Sequence, residues 1–147
     1  MLLTRGAARV YAVDVGSGQL HASLVHDPRV VSLERTDSRM LTRALIPEPP
    51  TLIVCDVSFI GAAKALATPL SLASPHADLV ALIKPQFEAG PDHVKKGVVR
   101  DAKIHAAVCA KIEALVAACG WRRIGLIASP IEGGDGNREF LIAAERP

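Results

Sequence analysis

The chain has 147 residues, half of them apolar, but it contains only one Trp, one Tyr and three Phe, so its core must consist mainly of aliphatic side chains and alanine. That length predicts one domain with one sizeable core, and the composition suits helices layered on a buried sheet. The net charge of +2 is compatible with a polyanionic partner, although many globular domains carry such a charge by chance.

The sequence favours neither export nor membrane spanning. The longest uncharged run, residues 65–77, is interrupted by two prolines and falls short of the roughly 20 apolar residues that cross a membrane. The first residues lack the basic start and long apolar centre of a secretion signal. Cys55, Cys109 and Cys119 are odd in number and lack the spacing of a metal site, so we expect reduced core thiols. These features predict a cytoplasmic protein without a bound metal.

Short apolar runs alternate with segments of helical composition, which is the pattern of parallel strands joined by crossover helices. The predicted strands are 9–14, 29–34, 51–56 and 78–84. The predicted helical segments between them are 17–26, 38–44 and 60–73. No repeat or linker divides the chain, so we expect a single α/β domain.

The last third of the sequence adds the clearest helix and two more strands. In "DAKIHAAVCAKIEALVAACG", apolar residues recur at helical spacing, Asp101 can cap the start and Gly120 can end the helix. Strands follow at 121–130 and 139–145, joined by the glycine-rich "IEGGDGN". A link of that length and composition predicts an antiparallel pair at the edge of the sheet.

Three predicted strands end on a charged residue: Asp14, Asp56 and Lys84. The carboxyl ends of parallel strands line the crevice where open α/β sheets bind ligands, so we expect these side chains to converge on one edge. The alternative is that each one marks the point where a buried strand meets water. Three charged ends together favour a functional site.

The segment "VDVGSG" is a candidate nucleotide site. A carboxylate such as Asp14, at the end of the second strand of such folds, commonly accepts hydrogen bonds from ribose hydroxyls, and Val15 and Gly16 begin a loop that can approach a ligand closely. Asp37, after the next strand, can bond an adenine amino group. An ordinary turn at residues 14–18 and a helix N-cap at Asp37 are the alternative interpretations.

The segment "KPQFE" contains a lysine whose backbone is restrained. Pro85 disfavours helical backbone at Lys84 and so holds the lysine extended at the sheet edge, which makes sense if its ammonium must be aimed. A solvated lysine at a strand end is the alternative. Glu139, in "GNREF", begins the last strand, and periodicity does not decide whether it is exposed or buried.

Five motifs, in this order, carry a resemblance to a known family: "RGAARVYAVDVG", "DVSFI", "KPQFEAG", "KGVVRD" and "SPI…GDGNREF". They resemble the TlyA family of ribosomal RNA 2′-O-ribose methyltransferases, which are also labelled hemolysins and have a catalytic domain similar to FtsJ. The resemblance implies a Rossmann-like class I methyltransferase sheet. It also implies S-adenosylmethionine (SAM, S-adenosyl-L-methionine) as the cofactor, and ribosomal RNA or ribosomal subunits as partners.

The resemblance further implies roles for individual residues. Asp56, Lys84 and Glu139 match three members of a Lys-Asp-Lys-Glu catalytic set, and Asp56 counts among the cofactor-binding residues as well. Asp14 matches the acidic residue for the cofactor ribose, followed by Val15 and Gly16. Asp37 lies where the family usually has a polar residue near the adenine.

The residue types agree with this chemistry. The sulfonium of SAM is already a strong electrophile, so methyl transfer needs mainly orientation and a nucleophile whose proton can leave. A lysine desolvated at the sheet edge can accept the proton of a ribose hydroxyl or stabilise the developing alkoxide. In this interpretation Asp56 and Glu139 hold Lys84 and tune its charge.

Parts of the family pattern are missing. The sequence has no S4 RNA-binding domain, no first strand with its "GASTGG"-like loop and no first catalytic lysine. We therefore expect residues 1–147 to form one FtsJ-like domain that is incomplete at its N-terminus. The missing strand belongs between 9–14 and 51–56, so its absence is expected to leave two strand edges unpaired and an apolar slot uncovered. A fragment of a longer protein, a degenerate enzyme and a chain completed by a partner are the three accounts, and the intact motifs favour the first.

Three other functions compete with methyl transfer. A dinucleotide-binding domain requires G-x-G-x-x-G after its first strand, which the sequence lacks. The hemolysin label suggests a membrane-active protein, but no spanning helix or basic amphipathic helix supports it. A non-catalytic RNA-binding protein is the third: Lys95, Lys96, Arg100 and Lys103 can contact phosphates, although a solvated loop and helix face would look the same.

Overall fold

Backbone hydrogen bonds divide the six strands into two groups. In the computed structural model, which describes residues 1–147, β1 (Val10–Val13) and β2 (Val30–Leu33) pair in parallel with each other. The other four strands form a mixed sheet in the order β3-β4-β6-β5. Their bounds are Leu52–Cys55 for β3, Asp78–Ile83 for β4, Arg122–Ala128 for β5 and Phe140–Glu145 for β6. Each of the six strands lies inside its predicted range.

The four-stranded sheet combines both strand directions. β3 and β4 are parallel, whereas β6 runs antiparallel to both β4 and β5. The predicted antiparallel pair of the last two strands is therefore confirmed. Of these last two strands, only β5 lies at an edge of the sheet, because β6 is inserted between β5 and β4.

The core lies on one face of this sheet. Along β4, Leu79, Ala81 and Ile83 are fully buried and alternate with more exposed residues, as expected for a strand with one covered face. The long helix α5 (Ala102–Ala118) packs on the covered face, and its buried residues are His105, Val108, Cys109, Ile112 and Val116. Its predicted caps are confirmed: Asp101 accepts a hydrogen bond from the Lys103 N–H, and Gly120 has a φ of +80°.

The shorter helices do not reach their predicted lengths. They are α1 (Ala22–Val25), α2 (Ala62–Ala65), α3 (Ala67–Leu72) and α4 (Pro85–Glu88), and single 3-10 turns occur at Leu3–Arg5, Ser38–Met40, Pro91–His93 and Gly134–Gly136. The predicted helix 60–73 is split in two, and 38–44 contains only one 3-10 turn. Pro69 has no N–H to donate to the Ala65 carbonyl, and the Ser38 hydroxyl donates to that carbonyl at 3.0 Å instead. The sequence pattern does not predict α4.

Two strand edges and one sheet face are open. β1 pairs only with β2, and β3 pairs only with β4, so the prediction that the edges at 9–14 and 51–56 are unpaired is confirmed. Leu52, Val54 and Val80 share the face of the sheet opposite the core and are 41–54% exposed. This face of β3 and β4 is therefore partly apolar and open, whereas the predicted apolar slot between β1 and β3 stays a prediction. None of the helices combines the length and hydropathy needed to cross a membrane.

Candidate active site

Lys84 follows β4 at the carboxyl edge of the sheet, and its ammonium is paired. Its backbone is extended, and Pro85 opens α4 directly after it. Nζ lies 2.6 Å from Asp56 Oδ1 and donates to Ser58 Oγ at 3.2 Å. The Lys84 side chain is 15% exposed, whereas that of Asp56 is 65% exposed. The expected convergence of strand ends is confirmed for these two residues, and the interpretation of Lys84 as a merely solvated lysine is not.

The loop that joins β3 to α2 contains a strained aromatic residue. Phe59 has a φ of +66°, a left-handed conformation that bulky residues rarely adopt. The residue is 93% exposed, and its ring centroid lies 5.5 Å from that of Phe87 on α4. Ser58, the residue before Phe59, accepts a hydrogen bond from Lys84. The exposed aromatic ring therefore lies next in the sequence to a residue that contacts the lysine.

Glu139 immediately precedes β6 and is buried, with 7% of its surface exposed. Its Oε1 accepts a hydrogen bond from Gln86 Nε2 at 2.9 Å, and a side chain at Gly133 would collide with the carboxylate. The Gln86 Oε1 atom is also buried and has no hydrogen-bond partner. No ion pair or hydrogen bond joins Glu139 to Lys84. Glu139 therefore contacts Gln86, two residues after Lys84 in the sequence, and its role in holding Lys84 stays a prediction.

Asp14 lies at the end of β1, in the separate two-stranded sheet. Its Oδ1 accepts a hydrogen bond from the Gly16 N–H at 2.7 Å, and its other carboxylate oxygen has no partner in the protein. The loop is thus a turn that leaves one oxygen of Asp14 free, with the exposed Val15 beside it. Asp14 makes no polar contact with Asp56 or Lys84, so the convergence of all three strand ends on one edge stays a prediction for Asp14.

Asp37 follows β2 and caps the 3-10 turn at Ser38–Met40, as the alternative interpretation predicts. Its carboxylate accepts from the Arg39 N–H at 2.9 Å and pairs with the Arg39 guanidinium. Hydrogen bonds from Arg39 lower the pKa of Asp37 to about 2, so this carboxylate is charged at neutral pH. The Thr36 N–H donates to the Asp14 carbonyl, which brings the ends of β1 and β2 together.

The basic stretch begins in an exposed hairpin and continues into the start of α5. Lys95, Lys96, Arg100 and Lys103 are all exposed and belong to no ion pair. Lys96 and Gly97 both have a positive φ and form the tip of a tight turn, which two backbone hydrogen bonds between Lys95 and Val98 close.

Asn137 ties this hairpin to the segment that carries Glu139. The buried Asn137 side chain donates from Nδ2 to the Gly97 carbonyl at 2.8 Å and accepts at Oδ1 from the Val99 N–H at 3.2 Å. Asn137 lies two residues before Glu139. The segment that carries the buried Glu139 carboxylate therefore also holds the basic hairpin, through Asn137.

Sequence reasoning misses the neutral members of the site, which are Ser58, Phe59, Gln86 and Asn137. They lie inside the motifs "DVSFI", "KPQFE" and "GNREF", but hydroxyl, amide and aromatic side chains carry no charge that would single them out. Their proximity to charged strand ends is the only signal that could have found them.

Comparison with known proteins identifies the family. The FtsJ-like methyltransferase family profile matches residues 1–146. The chain belongs to the FtsJ-like methyltransferase family. It is 46% identical over 143 residues to the 16S/23S rRNA (cytidine-2′-O)-methyltransferase TlyA of Mycobacterium tuberculosis, a match that covers 97% of this chain and 53% of that protein. A candidate rRNA methyltransferase of Bacillus subtilis, YqxC, is 47% identical over 147 residues, covering 99% of this chain and 52% of its own length. The chain therefore spans about half the length of these curated relatives, and its resemblance to TlyA proteins is confirmed.

Solved structures confirm the fold. A candidate hemolysin from Lactococcus lactis, 37% identical, superimposes with a TM-score of 0.93 over 99% of this chain and 71% of that chain. A candidate SAM-dependent methyltransferase from Listeria monocytogenes, only 12% identical, gives a TM-score of 0.66 over 99% of this chain and 83% of that chain. The predicted α/β, Rossmann-like methyltransferase fold is therefore confirmed.

Cys55, the last residue of β3, reports on the environment next to Asp56. All three cysteines are free, as expected, although Cys55 and Cys119 are only partly buried. Burial, and to a smaller extent the negative charge of Asp56, raises the pKa of the Cys55 thiol to about 11. The thiol is therefore protonated at neutral pH.

Alkylation kinetics test this environment. Only the thiolate reacts with iodoacetamide, and raising the pKa from 9.0 to about 11 lowers the thiolate fraction at pH 8 roughly 100-fold. Mass spectrometry should show that Cys55 of the folded chain reacts at least that much more slowly than Cys55 of the urea-unfolded chain. Equal rates in the two states would contradict the structure around Asp56.

Proposed function

We propose that the full-length protein transfers a methyl group from SAM to the 2′-hydroxyl of a ribose in ribosomal RNA, within the cytoplasm. The observation that carries this proposal is the Lys84 ammonium, which Asp56 and Ser58 hold at the carboxyl edge of the sheet. The names of the relatives support ribosomal RNA as the substrate class. The proton chemistry available at Lys84 supports a hydroxyl as the acceptor group.

The proposed mechanism assigns proton management to Lys84. SAM, when bound, supplies a methyl group on a positively charged sulfur. A ribose hydroxyl is a poor acid near neutral pH, so its oxygen becomes an effective nucleophile only if its proton is removed or its developing charge is stabilised. As a neutral amine, Lys84 Nζ accepts that proton and becomes an ammonium. If it is already an ammonium, it stabilises the developing oxyanion while the hydroxyl proton passes to solvent water. Asp56 and Ser58 fix the direction of Nζ, which reduces the entropy lost when substrate binds.

Glu139 has a supporting role in this proposal. It is buried and accepts a hydrogen bond from Gln86, two residues after Lys84, so it helps to position the segment at 84–86. The unpartnered Gln86 Oε1 is an acceptor close to this segment.

The ends of β1 and β2 fit the nucleoside half of SAM. One carboxylate oxygen of Asp14 has no partner in the protein and can accept from the ribose hydroxyls. Asp37 is charged and can accept from the adenine amino group. Val15 is exposed beside Gly16, and Asp56 follows β3 in the four-stranded sheet. These are the residues that we propose hold the cofactor.

Two exposed features suit an RNA substrate. The hairpin with Lys95, Lys96 and nearby Arg100 offers unpaired cations for backbone phosphates. Phe59 presents a free aromatic face beside the Lys84 contact, and single-stranded RNA bases stack on such faces.

Replacing Lys84 tests its catalytic assignment. In the full-length protein, we expect Lys84→Ala to lower methyl transfer to ribosomal RNA by at least about 100-fold, because the proposed general base is lost. SAM affinity should stay close to that of the wild type, since Lys84 acts on the acceptor. The matched control is Lys64→Ala, which removes an exposed lysine of α2. Near-normal turnover by Lys84→Ala would refute the assignment.

Titration with SAM tests the cofactor site. The Asp14→Asn change keeps an oxygen for the Gly16 N–H but removes the negative charge, so SAM affinity should fall roughly 10-fold. Isothermal titration calorimetry on the wild-type and variant proteins gives the two affinities. Asp92→Asn, an exposed carboxylate at Pro91–His93, is the control. An unchanged affinity in Asp14→Asn would place the cofactor ribose elsewhere.

A non-catalytic RNA-binding protein is the second candidate function, favoured by the four exposed cations of the basic stretch. It predicts RNA affinity that falls steeply with salt in a full-length protein that transfers no methyl group. In that protein, replacing both Lys95 and Lys96 with Ala should reduce the salt dependence by one to two units of slope, about one per phosphate contact. Direct membrane activity has less support, and leakage of dye from liposomes exposed to the purified protein would contradict our assignment.

A further inference from the structure

Glu88 is the last residue of α4, and the proposed mechanism gives it no role. Its side chain is only 2% exposed. A buried carboxylate is unfavourable unless hydrogen bonds and an opposite charge compensate it, so its partners indicate what it holds in place.

The partners of Glu88 lie at the start of α2 and on α5. Its Oε1 accepts a hydrogen bond from the Ala63 N–H at 3.1 Å, and Lys111 Nζ lies 3.2 Å from its Oε2. Gly61, the N-terminal cap position of α2, offers no side chain to the helix, so Glu88 supplies the capping oxygen from 25 residues away. A Cβ at Gly61 would lie 2.6 Å from Glu88 Oε2, which shows how closely the backbone and the carboxylate approach.

The loop that Glu88 holds is the loop that orients Lys84. Residues 56–63 and 84–88 meet at three successive points, at Lys84 and then along α4. Lys84 contacts Asp56 and Ser58 at the first, Phe87 faces Phe59 at the second, and Glu88 binds the Ala63 N–H at the third. Phe59, with its left-handed backbone, lies between the contact at Ser58 and the contact at Ala63. If the Ala63 contact were lost, the strained backbone at Phe59 could relax.

We propose that Glu88 is a positioning residue, which holds residues 57–61 so that Asp56 and Ser58 keep the Lys84 ammonium aimed at the acceptor hydroxyl. It touches neither the substrate nor the cofactor. This inference rests on the proposed function, because it explains how the Lys84 site is aligned.

The test uses the full-length protein and two independent readouts. The first is the turnover number for methyl transfer, measured with the KM for RNA. The second is the rate at which a limiting amine-acetylating reagent modifies Lys84, determined by mass spectrometry relative to the exposed Lys64. Thermal unfolding of each variant monitors overall stability.

Four variants separate the contacts of Glu88. Glu88→Ala removes the capping oxygen, and we expect a turnover number on the order of 10- to 100-fold lower with little change in KM, together with faster acetylation of Lys84. Gly61→Ala forces the carboxylate away from the loop and should also accelerate acetylation of Lys84. Glu88→Gln keeps an oxygen for the Ala63 N–H and should restore most of the turnover. Glu113→Ala removes a carboxylate of α5 that pairs with Arg123, and it should change neither readout.

The outcomes are decisive in both directions. Unchanged Lys84 acetylation in folded Glu88→Ala and Gly61→Ala would overturn the inference, even if thermal stability fell, because the role would then be structural only. If Glu88→Ala does not fold, Gly61→Ala decides by the same readout. If the wild-type protein transfers no methyl group but acetylation of Lys84 rises in both variants, the positioning role stands and the proposed function fails.

Discussion

A lysine ammonium that is mostly buried needs an anion close by, and this requirement organises the edge of the sheet. The parallel pairing of β3 and β4 provides that anion, because Cys55 lies opposite Ala81 and Asp56 therefore leaves β3 beside the end of β4. Pro85 then starts α4 immediately after Lys84, which keeps the lysine backbone extended and turns Glu88 back towards α2. The Lys84–Asp56 ion pair, the single turn of α4 and the strained loop at Phe59 all depend on how β3 and β4 end side by side.

The strands and the Lys84–Asp56 pair could be predicted from the sequence because both depend on short-range patterns. Apolar runs define the strands, and parallel neighbours bring their charged ends together. The position of Glu139 could not be predicted, since it depends on β6 entering the sheet between β4 and β5, and its partner Gln86 carries no charge. The break in the helix predicted at 60–73 follows from Pro69, whereas the compensating bond from Ser38 is a contact between distant residues that no periodicity reveals.

Two separate groups of strands carry the residues that we propose bind the cofactor and those that we propose act in catalysis. Asp14 and Asp37 follow β1 and β2, whereas Asp56 and Lys84 follow β3 and β4, and no backbone hydrogen bonds connect β1 to β3. The open apolar face at Val54 and Val80 lies on the second sheet. The arrangement of the two groups of strands therefore sets the distance between Lys84 and the residues that we propose bind the nucleoside of SAM.

The most direct test of the account is the identity of the methylated atom. The full-length protein would be incubated with ribosomal RNA and SAM that carries a deuterated methyl group, and the RNA would then be digested to nucleosides and analysed by mass spectrometry. We predict that the label is found on a ribose 2′-oxygen, because the proposed function assigns Lys84 to the proton of a hydroxyl group. Label on a base, or no label from a folded protein that binds both SAM and RNA, would contradict it.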